Sequence, residues 1–288
     1  MPQADTVAIV VAGGSGERFG DPRGKQFVDL CGLPLMCWPL MALDRAPSVA
    51  HIVIVCAPDK ADVVKSDVLS RVVLKTPVSF APSGATRQDS VYSGLSQMPA
   101  GYPFVAVHDA ARPLVEVPMI EGAVAAVRQD GRLAGAICAA RSIDTLKLVE
   151  GTDIVATPDR TFYWAAQTPQ VFRTREVVAA YKAALWDGYQ GTDDSSLVER
   201  HGGRVRCVEC SRDNIKVTIP EDLAVAEATL EQRLVEEGCG RRPGRDVQRS
   251  ALGMATTSTA CRRGAASSWA GWTSPASAAF WATRTRTW

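Results

Sequence analysis

An α/β fold, built on a mostly parallel sheet with helices on both faces and a protruding β-arm, is what this 288-residue sequence predicts. Two observations carry that prediction. Short apolar runs alternate with helical stretches at the spacing of right-handed βαβ units. The alternation then breaks between about 141 and 170, where apolar and aromatic residues flank a polar turn. A third observation locates the ligand. The first apolar run, Val7 to Val11, leads into Gly13-Gly14-Ser15-Gly16, with Arg18 and Lys25 close behind. Glycines let a backbone turn tightly and bring its N–H groups against an anion. Strand, glycine loop and cations together suit a triphosphate cradle. The loop is neither a dinucleotide fingerprint, since Phe19 stands where the last glycine belongs, nor a Walker A loop, since no GK[ST] follows. By itself it also fits an ordinary strand-to-helix turn.

The elements follow in order. Gly32-Leu33-Pro34-Leu35 turns into a helix over Leu35 to Arg45, and His51 to Ala57 is the second strand. Pro58-Asp59 caps a helix to about Leu69. Val78 to Phe80 is a short strand, Ser83 to Arg87 a turn, and a helix continues to about Gln97. Phe104 to His108 is a strand ending in Asp109-Ala110-Ala111-Arg112-Pro113. A helix over Pro118 to Gln129 and a strand over Leu133 to Ala140 complete the alternation. In the arm, Leu146 to Val149 and Thr161 to Trp164 flank a turn at Glu150 to Asp153, which reads as a hairpin reaching a second subunit. Helices over Thr174 to Trp186 and Asp194 to Arg200 follow, with last strands at Val205 to Val208 and Ile215 to Thr218. Pro220-Glu221-Asp222 opens the closing helix, to about Glu237, with proline in the first turn and acids at the positive end of the dipole. Ligands of such sheets sit at the carboxyl ends of the strands, where the glycine loop and Asp109 both lie.

Composition sets the limits. No apolar run approaches the ~18 residues of a membrane span, and the N-terminus has no basic region ahead of its apolar run. The eight cysteines are scattered, several in apolar runs, as expected of thiols in a reducing cytoplasm. Cys207 and Cys210 have CxxC spacing without a second pair, so no metal site is expected there. The near-zero net charge hides an asymmetry. From Arg241 onward there are eight arginines and one acid, Asp246, a net +7 against −6 for the other 240 residues. That stretch also holds four of the seven tryptophans. The division is therefore a domain over 1–237 and a basic tail over 238–288.

The polar residues at strand ends and turns are Arg18, Lys25, Arg87, Ser90, Asp109, Arg112, Thr145, Arg160, Thr192 and Lys216. Cations, a carboxylate and a glycine loop suit phosphoryl or nucleotidyl transfer, which needs positioning and charge neutralisation more than covalent help. VVAGGSGERFG…KQF, HDAARP, DTLK, AQTPQVF, TDDSSLVE and NIKVTIPEDL, in this order, resemble the 2-C-methyl-D-erythritol 4-phosphate cytidylyltransferase family of non-mevalonate isoprenoid synthesis, from Val7 to about Leu234. The resemblance implies a Rossmann-like nucleotidyltransferase fold, a cytoplasmic homodimer formed through the arm, and CTP with Mg²⁺ as the nucleotide. It implies that Ala12, Gly13, Gly14, Gly84 and Ser90 bind CTP, and that Arg18, Lys25 and Lys216 are catalytic. It puts Asp109, Arg112, Thr192, Lys216 and Thr218 at the methylerythritol phosphate, with Asp109 also near Mg²⁺. Thr145 and Arg160, on the arm, would reach the partner's site. Three positions depart from the family pattern. Gly13 replaces a usual alanine, Glu17 a common basic residue, and Ala85-Thr86 a more acidic pair.

The tail carries a second resemblance, in another reading frame. Read from the third base of each codon, Met254-Ala255 forces a glycine, Trp269-Ala270 and Trp281-Ala282 force two more, and Trp272-Thr273 forces an aspartate. The remaining codons permit GYDVHRL, LGGVDIP and LGHSDADV, in that order, which resemble the opening of 2-C-methyl-D-erythritol 2,4-cyclodiphosphate synthases. The expectation is a bifunctional gene whose frame slips between about Gly238 and Ala251, leaving a disordered tail without synthase activity. Two alternatives remain. One is a ribitol 5-phosphate cytidylyltransferase. The other is a non-catalytic nucleotide-binding module, or a nucleic-acid binder acting through the basic tail. Membrane and nucleic-acid partners are not expected.

Overall fold

The computed structural model describes residues 4–14, 19 and 24–236. The predicted tail, and the linker where the frame is expected to slip, lie outside the described residues. Chain order begins with β1 (Thr6–Val11), the short pair β2 (Asp29–Leu30) and β3 (Leu33–Pro34), and helix α1 (Cys37–Arg45). Then come β4 (Val49–Cys56), α2 (Ala61–Val63), β5 (Val78–Pro82), α3 (Arg87–Gln97), β6 (Phe104–Asp109) and α4 (Val117–Gln129). The second half has β7 (Gly135–Arg141), β8 (Leu148–Glu150), β9 (Asp153–Ala156), β10 (Trp164–Arg173), α5 (Thr174–Trp186), α6 (Asp194–Arg200), β11 (Val205–Glu209) and α7 (Pro220–Glu236).

Seven strands form the main sheet in the order β11-β7-β10-β6-β1-β4-β5. All neighbours are parallel except β10, which runs antiparallel between β6 and β7. The sheet is therefore mostly parallel, as predicted. Side-chain alternation along β1 divides the core. Ala8 and Val10 face a cluster with Leu40 of α1, Val124 of α4 and Leu230 of α7, whereas Val7 and Ile9 face one with Val91 of α3 and Val177 and Tyr181 of α5. Both faces are covered, which explains why the strands read as continuous apolar runs.

Four expectations need correction. The arm hairpin pairs β8 with β9, so Thr161 to Trp164 is not the second strand. Thr161 lies in a short 3-10 turn, and Trp164 opens β10. The stretch Ala165 to Gln170 is short of bulky β-branched residues; Ala165 and Ala166 are extended by pairing with β7, and Gln170 by pairing with both β6 and β7. Ile215 to Thr218 is no strand; it is an irregular loop docked by Val217 N donating to Ala111 O (2.8 Å). The helix expected from Pro58 to Leu69 is a run of short 3-10, α and π turns. Helix α1 starts at Cys37 rather than Leu35. The helices from Arg87, Thr174, Asp194 and Pro220 begin where their turn or capping residues put them.

Candidate active site

The parallel register aligns Val11 with Val55 on one side and Asp109 on the other. The carboxyl ends of β1, β4 and β6 are therefore level. A cavity of about 440 Å³ opens there, lined by Gly13, Gly14, Lys25, Gly84, Thr86, Arg87, Ser90, Asp109 and Lys216, among others. The predicted glycine loop, turn and carboxylate converge as the topology requires.

Two glycines are demanded by close approach. A Cβ on Gly13 would lie 2.5 Å from Ser83 Cβ, and one on Gly84 2.3 Å from Asp89 Cβ. The first explains the departure at Gly13, because an alanine there collides with the serine at 83. The second follows from helix capping. Thr86 caps α3 in a reciprocal box with Asp89, which pulls Asp89 against Gly84. Ser90, one turn into α3, accepts from Gly84 N (3.1 Å) and donates to Thr86 O (2.9 Å), so its hydroxyl fixes the turn that lines the cavity. Ala12 is buried. Its N–H goes to Val55 O (2.8 Å) and its carbonyl accepts from Gln26 Nε2 (3.2 Å), which ties the glycine loop to the segment bearing Lys25.

An ion network forms the floor. Asp109 receives Arg87 Nε on Oδ1 (3.2 Å) and Lys216 Nζ on Oδ2 (2.7 Å). Arg87 also makes a two-pronged contact with Asp194, at 3.0 and 2.8 Å, and the Tyr181 hydroxyl donates to Asp194 as well. Burial would raise the Asp109 pKa, but Arg87 and then Lys216 overcome it and hold the carboxyl well below the usual range. Burial likewise works against the Arg87 charge, and Asp194 more than restores it. Burial and the Asp194 charge push the Tyr181 phenol up, so it stays a donor. Lys25 Nζ donates to Val217 O (2.9 Å), and Arg112 Nη1 to Asn214 O (2.7 Å).

A relay beneath the floor sets the loop after β6. Asp109 N donates to Thr168 Oγ1 (3.1 Å), which meets His108 Nδ1 (3.1 Å), while His108 Nε2 meets Arg112 O (3.2 Å). The carbonyl requires the proton on Nε2, so Nδ1 accepts from the threonine. Burial pushes the His108 pKa down to about 4, which keeps this neutral form.

Not every predicted residue reaches the cavity. Ala12 is buried and Arg112 half-buried, neither lining the cavity, and Arg18 lies outside the described residues. Thr218 precedes α7 and is tied to its first turn, with its N–H and hydroxyl both donating to Asp222 Oδ2 (2.7 and 2.6 Å). Thr192 is exposed, and Thr145 and Arg160 are exposed on the arm, where Arg160 Nη1 donates to Ile143 O. The residues overlooked are Asp194, Tyr181, Thr168 and Asn214. The motifs TDDSSLVE, AQTPQVF and NIKVTIPEDL contain three of them, whereas Tyr181 reads simply as core helix.

No helix among the described residues is long and apolar enough to cross a membrane, and none of their His, Cys, Asp and Glu side chains gather in threes as a metal cage would need. The chain is 41% identical over 229 residues to the 2-C-methyl-D-erythritol 4-phosphate cytidylyltransferase of Geobacillus kaustophilus, covering 80% of this chain and 98% of that one. It is 40% identical over 228 residues to that of Synechococcus elongatus, covering 78% and 96%. Its fold matches the crystal structure of 4-diphosphocytidyl-2C-methyl-D-erythritol synthase from Anaerococcus prevotii with a TM-score of 0.70 at 27% identity, covering 78% of this chain and 96% of that one. The family model for IspD, 2-C-methyl-D-erythritol 4-phosphate cytidylyltransferase, matches residues 6–232. With Gly13, Gly14, Lys25, Lys216 and Asp109 gathered at the carboxyl ends of the strands and this match covering nearly all of the described fold, the chain belongs to the 2-C-methyl-D-erythritol 4-phosphate cytidylyltransferase family.

Proposed function

We propose that the cavity at the carboxyl ends of β1, β4 and β6 is where this chain transfers CMP from CTP to 2-C-methyl-D-erythritol 4-phosphate in isoprenoid precursor synthesis. The observation that carries the reading is the convergence of the glycine loop, Lys25, Lys216 and Asp109 on one cavity. A phosphate oxygen of the acceptor forms a bond to the α-phosphorus of CTP. The bond from that phosphorus to the bridging oxygen breaks, and its electron pair leaves on pyrophosphate. The products are 4-diphosphocytidyl-2-C-methyl-D-erythritol and pyrophosphate.

The chain's own groups have distinct tasks. Gly13, Gly14 and Gly84 let the nucleotide approach the backbone, with Ala12 and Ser90 holding the two loops that carry them. Lys25, with Arg18, neutralises the triphosphate and the charge that builds at the α-phosphorus. Lys216 and Arg112 attract the acceptor phosphate, and Asp109, ion-paired as it is, orients Lys216 and accepts from an acceptor hydroxyl. Thr192 would hold the acceptor, and Thr218, tied to Asp222, holds the start of α7. Mg²⁺ fits as a companion of the triphosphate. Asp109 is the one carboxylate among the described lining residues, and magnesium is commonly bound by one or two carboxylates plus substrate phosphates. When bound, it supplies charge neutralisation to the phosphates.

The arm supports the homodimer. Ile154, Val155 and Phe162 are 62%, 59% and 83% exposed, an apolar surface that a second copy would cover. Thr145 and Arg160 would then act in the partner's site. Six cysteines, Cys31, Cys37, Cys56, Cys138, Cys207 and Cys210, are unpaired, in keeping with a cytoplasmic location. The frame-shifted synthase remnant remains the reading of 238–288. Gene sequencing tests it, since third-frame codons that do not spell the synthase motifs exclude it.

The test of the reaction is pyrophosphate release from CTP and Mg²⁺ with either acceptor. Release with methylerythritol phosphate alone is expected. Release with ribitol 5-phosphate would keep the nucleotide site and overturn the acceptor.

A further inference from the structure

We infer that Asn214 is a positioning residue for Lys216 and Arg112, pinning the irregular loop between β11 and α7 to β10. The inference rests on the proposed roles of those two cations.

The loop from 211 to 219 forms no helix or strand, yet Asn214 within it is 0% exposed. Its Nδ2 donates to Gln167 Oε1 (2.8 Å) and to Thr168 O (2.9 Å). A backbone carbonyl can only accept, so the amide must present its nitrogen here. Its Oδ1 has no partner among the described residues, and the two donated bonds are what the carboxamide contributes. The Asn214 backbone oxygen accepts from Arg112 Nη1 (2.7 Å). Two residues on, Lys216 meets Asp109 at 2.7 Å, and Val217 links to Ala111 through its N–H and to Lys25 through its carbonyl. One buried amide therefore anchors a segment that touches three cations and the loop after β6.

Other side chains do not replace it. Aspartate keeps the shape but brings negative charge against two acceptors, and alanine removes both donors. Either leaves Thr168 O short of a donor and Gln167 Oε1 with Cys210 Sγ alone, and the loop gains freedom. A displacement of about 1 Å in a charge-stabilising group is enough to cost on the order of 10²-fold in rate.

A double-mutant cycle in kcat separates positioning from general support. Asn214→Ala is expected to lower kcat by about 10²-fold while KM for CTP changes by less than about threefold. In a Lys216→Ala/Arg112→Ala background the same change should cost less than about threefold more, because both groups it positions are gone. Losses that multiply would overturn the inference, as would an Asn214→Ala enzyme with wild-type kcat. Full activity in Lys216→Ala would instead overturn the role given to Lys216. A second measurement is independent of turnover. In Asn214→Ser, the Val217 amide should exchange at least about tenfold faster with the β1 amides unchanged. Equal acceleration of both would mean a general stability role and would also overturn the inference.

Discussion

Arg87→Ala removes one guanidinium and leaves two carboxylates, Asp109 and Asp194, without the partner they share. The Asp194 side chain is 0% exposed and that of Asp109 10%, so neither recovers its lost partner from bulk water. Breaking a buried ion pair costs about 3–5 kcal/mol because an uncompensated charge stays behind. Three features favour the lower end. Arg87 itself is 30% exposed, Asp109 keeps Lys216, and Asp194 keeps the Tyr181 hydroxyl. We therefore expect a loss of about 3 kcal/mol, or roughly 6–12 °C in Tm for a domain of this size. Urea unfolding followed by tryptophan fluorescence measures it. Arg87→Lys keeps the charge but not the two-pronged geometry, and should fall between wild type and alanine. Adding Asp194→Asn to Arg87→Ala should recover about 1–2 kcal/mol, since it removes the stranded charge. The sign with pH also follows. Asp109 has a depressed native pKa, so its pairing stabilises fully above its usual 3.8 and is lost as pH falls further. The gap between wild type and Arg87→Ala should therefore narrow in acid. A loss below about 1 kcal/mol at neutral pH would refute the reasoning, because the network would then be screened like a surface pair.

His108 has a native pKa of about 4 against a usual 6.5, so the unfolded chain binds its proton first and stability falls with acid across that window, by about 2 kcal/mol at pH 5. Unfolding curves at pH 7 and pH 5 should show that this part of the slope is missing in His108→Gln. Lys25→Ala should lower kcat by about 10²-fold or more with a smaller change in KM for CTP, because its charge matters most in the transition state; steady-state kinetics that show only a raised KM would remove that role. Gly13→Ala should destabilise by about 1–3 kcal/mol through its collision with Ser83, and Ser83→Gly should relieve most of it, as unfolding of the single and double variants would reveal. If the arm completes the partner's site, mixing Arg160→Ala with Lys216→Ala subunits should restore about a quarter of wild-type activity, since half of randomly mixed dimers carry one intact site of two. No recovery after confirmed subunit exchange would place Arg160 in its own subunit's chemistry.

What could be read from the sequence was local, and what could not was pairing at a distance. Val7 to Val11 announces a buried strand, and Thr86 with Asp89, or Asp193 with Ser196, announces a helix start, because each signal sits within a few residues of its effect. The cavity lining at Gly13, Gly14, Gly84 and Asp109 was legible for the same reason, since all four stand at turns that a βαβ pattern already places at one edge. Strand β10 is different. Ala165 to Gln170 has weak strand propensity, and it is extended by distant partners, Ala165 and Ala166 on β7 and Gln170 on both β6 and β7. The loop bearing Lys216 shows the converse. Ile215 to Thr218 has the composition of a strand, but it pairs with no strand among the described residues, and the loop is held instead by Ala111 and by the Asn214 amide.

The same contrast explains where the site's precision comes from. Gly13 and Gly14, the turn before α3 and the end of β6 are placed by regular structure, and their geometry is largely assured once the sheet forms. Lys216 and Arg112 are not. They depend on side-chain bonds that cross more than forty residues of sequence, from Asn214 to Gln167 and Thr168, and from Arg112 to Asn214. Substitutions in this second layer should therefore change rate more than nucleotide affinity, while substitutions in the glycine loop and its serines should do the reverse. An enzyme built this way separates holding its nucleotide from aiming the acceptor, and β10, the one antiparallel strand of the main sheet, is where the two parts are joined.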